Sequence, residues 1–401
     1  MIPVADAIRI VQEQTRELAS ELVSLGRAHS RFLAEDIIAD SDLPPFDRSQ
    51  MDGYAVRAAD VQVAPARLKI AGESAAGRGW HQEMHASEAV RIMTGAPVPA
   101  GADSVQQVEL TRELDGEVEI LEPVLPGRSI VKRGAEITAG ETVLSAGEQI
   151  TAATMAVLAS FGYAQVNVGR RPRVAVMATG TELVAVDQQP GKDQIRDSNN
   201  FSISAYAELA GAVVERLPLA GDDTSLLKRQ IIEAAEQSDI VVTSGGVSVG
   251  VYDFTKPVLK ELNAELFFER VALRPGKPTV FARLPNGTLF FGLPGNPVSV
   301  SVTFNLFVRT ALLAMQGAKE PALVEEWAVL AGVVKGSGGR ESYLPAKLHT
   351  SEDGVLLAEP LKWGGSSDFV GFVRATALIV LPPDAHTFQA GTKVRVVRLP
   401  S

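Results

Sequence analysis

Residues 239–259 read DIVVTSGGVSVGVYDFTKPVL, and this stretch decides the fold. Four apolar or β-branched residues, Ile240 to Thr243, run into Ser244, Gly245 and Gly246, with Ser248 and Gly250 close behind. The pattern is a buried strand opening into a glycine-permissive loop whose N–H groups can turn toward an anion. Two more loops of this kind follow. Arg274-Pro275-Gly276-Lys277 sets two cations around a turn, and Pro294-Gly295-Asn296-Pro297 stiffens the chain ahead of a helix-like run. One Gly-Gly after a strand marks no more than an ordinary βα turn. Three anion-friendly loops after strand-like runs point further, because ligands of open α/β sheets bind at the carboxyl ends of strands. A phosphate-bearing or oxyanion ligand is expected here.

Upstream, the same texture repeats. Strand VAVMATG (174–180), helix FSISAYAELAGA (201–212), strand VVERLPL (213–219) and helix TSLLKRQIIEAAEQ (224–237) lead into the opening stretch. Strands alternating with helices predict a parallel sheet with right-handed crossovers. Acidic residues stand where strands end: Glu182 in ATGTEL, Asp222 in AGDD, and Asp253 after the glycine loop. Each alone reads as a solvated turn carboxylate. Together with the distant Asp52 they are the oxygen ligands a Mg²⁺ site requires.

The flanks are different. Val4 to Leu22 carries apolar residues at helical spacing and hands over to an extended connector ending at Pro44-Pro45. FDRSQMDGYAVRAAD (46–60) then presents Asp52-Gly53, a turn signal that also offers a carboxylate on a loop. Residues 61–125 alternate short strand-like runs with Gly and Pro turns, and TAATMAVLASFG (151–162) returns to helix. After Gly317 the reading is short strands to the end, with Arg340 and Ser366 in glycine loops, so a small terminal β-barrel is expected. The expected organisation is multidomain α/β and β. A helical and extended domain spans 1–45 and 138–169, a β domain is inserted at 46–137, an α/β domain spans 170–320, and the barrel 321–401.

Composition narrows the function. A chain of 401 residues with net charge −10 has no broad basic face for nucleic acid. With no cysteine, thiolate nucleophiles, disulfides and cysteine metal sites are excluded, and a cytoplasmic home is expected. His81 and His85 stand four apart, but HQEMH lacks the HExxH order of zinc proteases. Residues 149–169 and 284–308 carry no charge; Pro, Gly, Asn and Thr interrupt them, and neither is read as a membrane span. Asp6, Arg9 and Glu13 break any export signal.

Taken in order, PPFDRSQMDGYAVR (44–57), RIMTGAPVPAGAD (91–103), ATGTEL, SGGVSVG with Asp253 and Lys256, RPGKP (274–278) and GLPGNPVS (292–299) resemble the MoeA family of molybdopterin molybdenumtransferases, to which the E domain of gephyrin is related. The resemblance spans nearly the whole chain. It implies a homodimer that inserts molybdate into adenylated molybdopterin, releasing AMP, with Mg²⁺ required and the active site between subunits. It also implies contacts with the adenylyltransferase and with recipient molybdoenzymes. By position, the resemblance assigns catalytic roles to Asp52, Glu182, Asp222 and Asp253, the last three also to the metal. Thr179, Gly180, Ser244, Gly245, Gly246, Ser248, Gly250, Lys256, Pro294, Gly295 and Asn296 would hold the pterin nucleotide. Arg274, Lys277, Pro278, Arg340 and Ser366 would hold molybdate. Two positions depart from the family: Arg274 where Lys is common, and Glu136 where Asp is. Two other functions are compatible with parts of the pattern. One is a molybdopterin adenylyltransferase, which the α/β domain alone would supply; the other is a non-catalytic scaffold.

Overall fold

The structure, a computed structural model, describes residues 1–220, 223–247, 254–384 and 386–400, in two compact units. The larger comprises residues 1–35, 146–155 and 165–401, the smaller 36–145 and 156–164.

At the centre of the larger unit is a six-stranded sheet in the order 213–216, 173–178, 240–244, 289–293, 280–283, 265–268. The first four strands are parallel, as the alternating texture predicts. The fifth is not: Val280–Arg283 runs antiparallel to both of its neighbours, so the sheet is mixed, and the sixth, Glu265–Phe268, returns to the direction of the first four. The reason is local. Leu284-Pro285-Asn286-Gly287-Thr288 closes a hairpin, with Gly287 at φ +95° and the Leu284 N–H donating to the Thr288 carbonyl at 2.9 Å. So short a connection admits only an antiparallel return.

Alternate residues of each strand serve opposite faces of this sheet. Val174, Val176, Ile240, Val242, Phe281 and Phe291 pack with helices Val4–Gln14, Asn199–Leu209 and the long helix 297–315. Ala175, Met177, Val241, Val280 and Phe290 pack with Leu227, Ile231 and Ala234 of helix Thr224–Gln237. Both faces being buried explains why these strands read as unbroken apolar runs. The helix 297–315, mean hydropathy 1.6, is long and apolar enough to cross a membrane, but 89% of its apolar window is buried inside the fold. It is a core helix.

The first helix stops earlier than its spacing suggests, at Gln14. Thr15 turns extended and its hydroxyl takes the Val11 carbonyl at 2.7 Å; Leu18 N–H then donates to Met315 O, and Ser20–Ser24 pairs antiparallel with Gln165–Gly169. A β-branched residue that caps the last turn itself ends a helix that apolar periodicity alone would continue. Leu22, expected on the buried face, is 63% exposed.

The carboxy-terminal strands 341–350, 356–360, 325–330, 393–398 and 377–381 close on themselves through the 341–350 to 377–381 pairing, a five-stranded barrel. A sixth, Leu273–Arg274, adds in parallel at Glu341–Ser342. One short helix, Phe369–Phe372, interrupts the expected all-strand ending. The smaller unit holds another six-stranded sheet, in the order 104–107, 53–56, 88–92, 66–74, 117–120, 111–114. Asp115-Gly116, at φ +51° and +83°, makes its tight hairpin turn.

Candidate active site

Three parallel strands, ending at Ala178, Ser244 and Leu293, carry the loops that begin at Thr179, Gly245 and Pro294; the Arg274–Lys277 turn, expected among the strand-end loops of this sheet, instead follows Leu273–Arg274, which pairs with the terminal barrel. Thr179 N–H donates to Ser244 O at 2.9 Å, and Gly245 N–H to Leu293 O at 3.1 Å, so each loop is tied to the next as it leaves the sheet. Gly245, at φ +89°, lies so close to the first loop that a Cβ there would meet Thr179 O at 2.3 Å. Only glycine permits that approach. Gly180 is equally constrained: at φ +147°, a Cβ would fall 2.4 Å from the Glu182 carboxylate.

These loops line a cleft of 560 Å³. Thr179, Gly180, Thr181 and Glu182 form one wall, Gly245, Gly246 and Val247 another, and Pro278, Pro294, Gly295 and Asn296 a third. Pro278, Pro294 and Asn296 also border a second lobe of 460 Å³, together with Arg274, Arg340, Ser299, Trp363 and Ser366. Asn296 joins the lobes covalently and by contact, its Nδ2 donating to Ser366 Oγ at 2.9 Å. Val298 N–H fixes the Ser366 carbonyl at 3.0 Å.

The lobes differ in charge. Arg274 and Arg340 have no carboxylate partner among the described residues, so the smaller lobe presents two guanidiniums to whatever enters it, a setting suited to an oxyanion. Asp368 adjoins it, but its carboxylate is already occupied by Gly371 N–H at 2.9 Å and Gly364 N–H at 2.7 Å. Those backbone bonds, Gly371 first, hold its pKa below the ordinary carboxylate value. The larger lobe has one described carboxylate, Glu182, whose side chain makes no hydrogen bond or ion pair among the described residues.

Two bigger clefts exist, and position argues against them. One of 800 Å³ contains Asp239 and Leu289, at the amino ends of the strands, and its Arg283 is engaged by Gln14 at 2.7 Å. Another of 720 Å³ lies by helix residues Tyr206, Asn305 and Arg309. Neither sits at the carboxyl ends, where this sheet type binds ligands.

Of the residues named from sequence, Thr179, Gly180, Glu182, Gly245, Gly246, Pro294, Gly295 and Asn296 come together in the larger lobe, and Arg274, Pro278, Arg340 and Ser366 in the smaller. Lys277 does not line either lobe; its carbonyl accepts from Val271 and Thr279 N–H. Lys256 is paired with Glu269 at 3.2 Å, and Ser244 is 1% exposed beneath the loop. Asp222, Ser248, Gly250 and Asp253 lie outside the described residues. Asp52 belongs to the smaller unit, where the Thr94 N–H at 2.7 Å and its hydroxyl at 2.9 Å hold the carboxylate and lower its pKa. In the same unit Glu136 accepts from Arg48 at 3.0 Å. Among the described residues no three His, Asp or Glu side chains gather as a metal cluster. Sequence reasoning missed Asn199, Ser299 and Trp363. The polar run Asp197-Ser198-Asn199-Asn200 ahead of a helix was a signal for the first, since three of its members are buried.

Comparison with known proteins agrees with this architecture. Residues 2–162 match the MoeA N-terminal region (domain I and II), 175–314 a probable molybdopterin binding domain, and 328–399 the MoeA C-terminal region (domain IV). The molybdopterin molybdenumtransferase of Haemophilus influenzae is 37% identical over 379 residues, 94% of this chain and 93% of that protein. That of Bacillus subtilis is 37% identical over 406 residues, covering 99% and 94%. A solved molybdopterin biosynthesis MoeA protein from Pyrococcus horikoshii superposes with TM-score 0.85 at 28% identity over 100% of both chains. Fold and cleft are those of a multidomain α/β transferase with a terminal barrel. The chain belongs to the MoeA family, and its role lies in molybdenum cofactor biosynthesis.

Proposed function

We propose that this protein inserts molybdate into adenylated molybdopterin, releasing AMP and the molybdenum cofactor. The observation that carries this reading is the two-lobed cleft: an anion-tolerant, glycine-lined lobe shares Pro278, Pro294 and Asn296 with a lobe bearing two guanidiniums that have no carboxylate partner among the described residues. An adenylated pterin in the first lobe and molybdate in the second would meet at the shared wall. Arg274 and Arg340 hold the oxyanion and offset its repulsion from the substrate's pyrophosphate; Ser366 supplies a hydroxyl. Water cleaves the phosphoanhydride and AMP departs; the substrate's two dithiolene sulfurs bond to molybdenum as one oxo group of molybdate leaves as water, taking up two protons, with Mo(VI) unchanged in oxidation state.

Mg²⁺ fits the donor chemistry of the larger lobe. Glu182 offers at the cleft wall a carboxylate with no partner among the described residues, a hard oxygen ligand, and Asp222 and Asp253 complete the proposed set from outside those residues. When bound, the ion would supply charge neutralisation for the pyrophosphate. The proposal includes a cytoplasmic homodimer in which Asp52 of the partner subunit serves each cleft, with exchange of substrate and product through the adenylyltransferase and recipient molybdoenzymes.

The test is AMP release from purified adenylated molybdopterin with molybdate and Mg²⁺, wild type against Glu182→Ala. Molybdate-dependent release that the variant loses supports the reading. Adenylated substrate bound but no AMP released would move the scaffold function forward, and net AMP transfer onto molybdopterin from ATP would favour the adenylyltransferase.

A further inference from the structure

We infer that Asn199 is a positioning residue for this reaction: its side-chain amide clamps two of the three cleft loops together and so sets the width of the pterin nucleotide lobe. The inference rests on reading that lobe as the substrate site. Asn199 is the first residue of helix Asn199–Leu209, lies under the loops and is 8% exposed. Its Nδ2 donates to Ser244 Oγ at 3.0 Å and to the Gly295 carbonyl at 2.7 Å. One hydrogen of the amide thus holds the strand end that precedes Gly245-Gly246, and the other holds the middle of Pro294-Gly295-Asn296. Both loops line the cleft, whereas Asn199 does not.

The orientation of the amide is fixed by chemistry. A backbone carbonyl can only accept, so the nitrogen must face Gly295. That leaves Oδ1 buried without a partner among the described residues. A buried acceptor left empty is costly, and a residue kept in that state is kept for its two donors. Backbone bonds do part of the same work, because Gly245 N–H reaches Leu293 O. They act at the base of the loops, at the end of the sheet. Asn199 acts two residues further out than Leu293 on that loop, at Gly295, where the Cβ position faces Gly245 Cα at 3.7 Å. Without the clamp, the Gly295 carbonyl is free to swing and the opposing walls of the lobe are no longer held at one spacing. The smaller lobe is held separately, through Asn296 to Ser366 and through the Asp368 carboxylate.

Substitution therefore separates two affinities that a general loss of structure would move together. The informative variant is Asn199→Asp, nearly isosteric, which removes both donors and turns a carboxylate oxygen toward the Gly295 carbonyl; Asn199→Ala is its companion. In the full-length protein, KM for adenylated molybdopterin should rise roughly tenfold, the loss of about one to two neutral hydrogen bonds. KM for molybdate should stay close to wild type, while the melting temperature should fall by a few degrees as two buried hydrogen bonds are lost. Hydrogen exchange of peptides covering 293–298 should quicken several-fold, with peptides of the carboxy-terminal barrel unchanged. A nucleotide-substrate KM within twofold of wild type overturns the inference, as does a parallel rise of both KM values or a quickening of exchange throughout the barrel. If the wild type itself releases no AMP, the proposed function fails. The exchange measurement then decides the clamp alone, and unchanged exchange at 293–298 refutes it.

Discussion

Adding one methyl group at each of three glycines of the cleft should produce a graded loss of stability. Gly245 sits at φ +89° and its added Cβ would lie 2.3 Å from the Thr179 carbonyl oxygen. The left-handed conformation costs alanine about 1 kcal/mol or more. A carbon and an oxygen also need roughly 3.2 Å or more, so Thr179 backbone must retreat by close to an ångström, at the expense of its bond to Ser244, worth about 1 kcal/mol. Gly245→Ala is therefore expected to cost roughly 2–4 kcal/mol. Gly246, at φ +65°, meets only side-chain oxygens, Thr179 Oγ1 at 3.0 Å and Thr255 Oγ1 at 3.1 Å, which can give way. Gly246→Ala should cost about 1–2 kcal/mol, mostly backbone. Gly295 has no positive φ, and its Cβ would make an ordinary contact with Gly245 Cα at 3.7 Å, so Gly295→Ala should stay within about 0.5 kcal/mol. Denaturant midpoints of the three variants, followed by circular dichroism, give the order directly. A Gly295→Ala as damaging as Gly245→Ala, or a Gly245→Ala indistinguishable from wild type, would refute the close-approach reasoning.

Truncating Phe281, fully buried and stacked on Phe291 with ring centroids 4.7 Å apart, should cost about 3–5 kcal/mol, read as a lowered melting temperature. Arg340→Ala should raise the molybdate KM by about tenfold or more with little change in stability, since a charge-assisted bond to an oxyanion is lost and no ion pair is broken; an unchanged molybdate KM would place the oxyanion elsewhere. Asp368→Asn can accept only one of the two N–H groups now held, so the Gly364–Gly371 loop should loosen and the molybdate KM rise a few-fold, measured by titrating molybdate at saturating nucleotide substrate. For pH, the depressed pKa of Asp368 fixes the sign: its loop-ordering contribution is complete above the ordinary carboxylate value of about 4 and is lost as pH falls through its lower folded value. Between pH 5 and 8 the molybdate KM should show no titration from this group, which a pH series of KM checks.

The α/β core was legible because its burial is two-sided: Ile240 to Thr243 and Val174 to Met177 are continuous runs that no half-exposed strand would carry. The reversed strand Val280–Arg283 escaped a rule that counts strand-helix alternation, although Asn286-Gly287 was a hairpin signal in plain view. The end of the first helix escaped because periodicity records which face is apolar, not whether Thr15 takes the last carbonyl for itself. In the cleft, residues supplied by a loop motif were found and those supplied by long-range packing were not. Asn199 reaches Gly295 across 96 positions, and Trp363 arrives from the terminal barrel; the polar run around Asn199 marks the residue but not its distant partner. Lys277 was the converse case. Two cations three positions apart need not share a cavity, because the turn between them sends their side chains in different directions.

The strand Leu273–Arg274 belongs to the terminal barrel by hydrogen bonding and to the α/β region by chain order. Leu273 pairs with Glu341 and Arg274 with Ser342, so a short ladder joins the segment of Arg274 to the strand that Arg340 immediately precedes, and both line one lobe although 66 positions apart in the chain. Dissection of the protein at the conventional boundary near residue 320 would therefore not yield two intact parts. The amino-terminal fragment would keep one arginine of the oxyanion lobe on a strand with nothing to pair with, and the carboxy-terminal fragment would keep the other in a barrel stripped of its sixth strand. The lobe is a property of the uncut chain, and any fragment that still binds the pterin nucleotide should have lost its hold on the oxyanion.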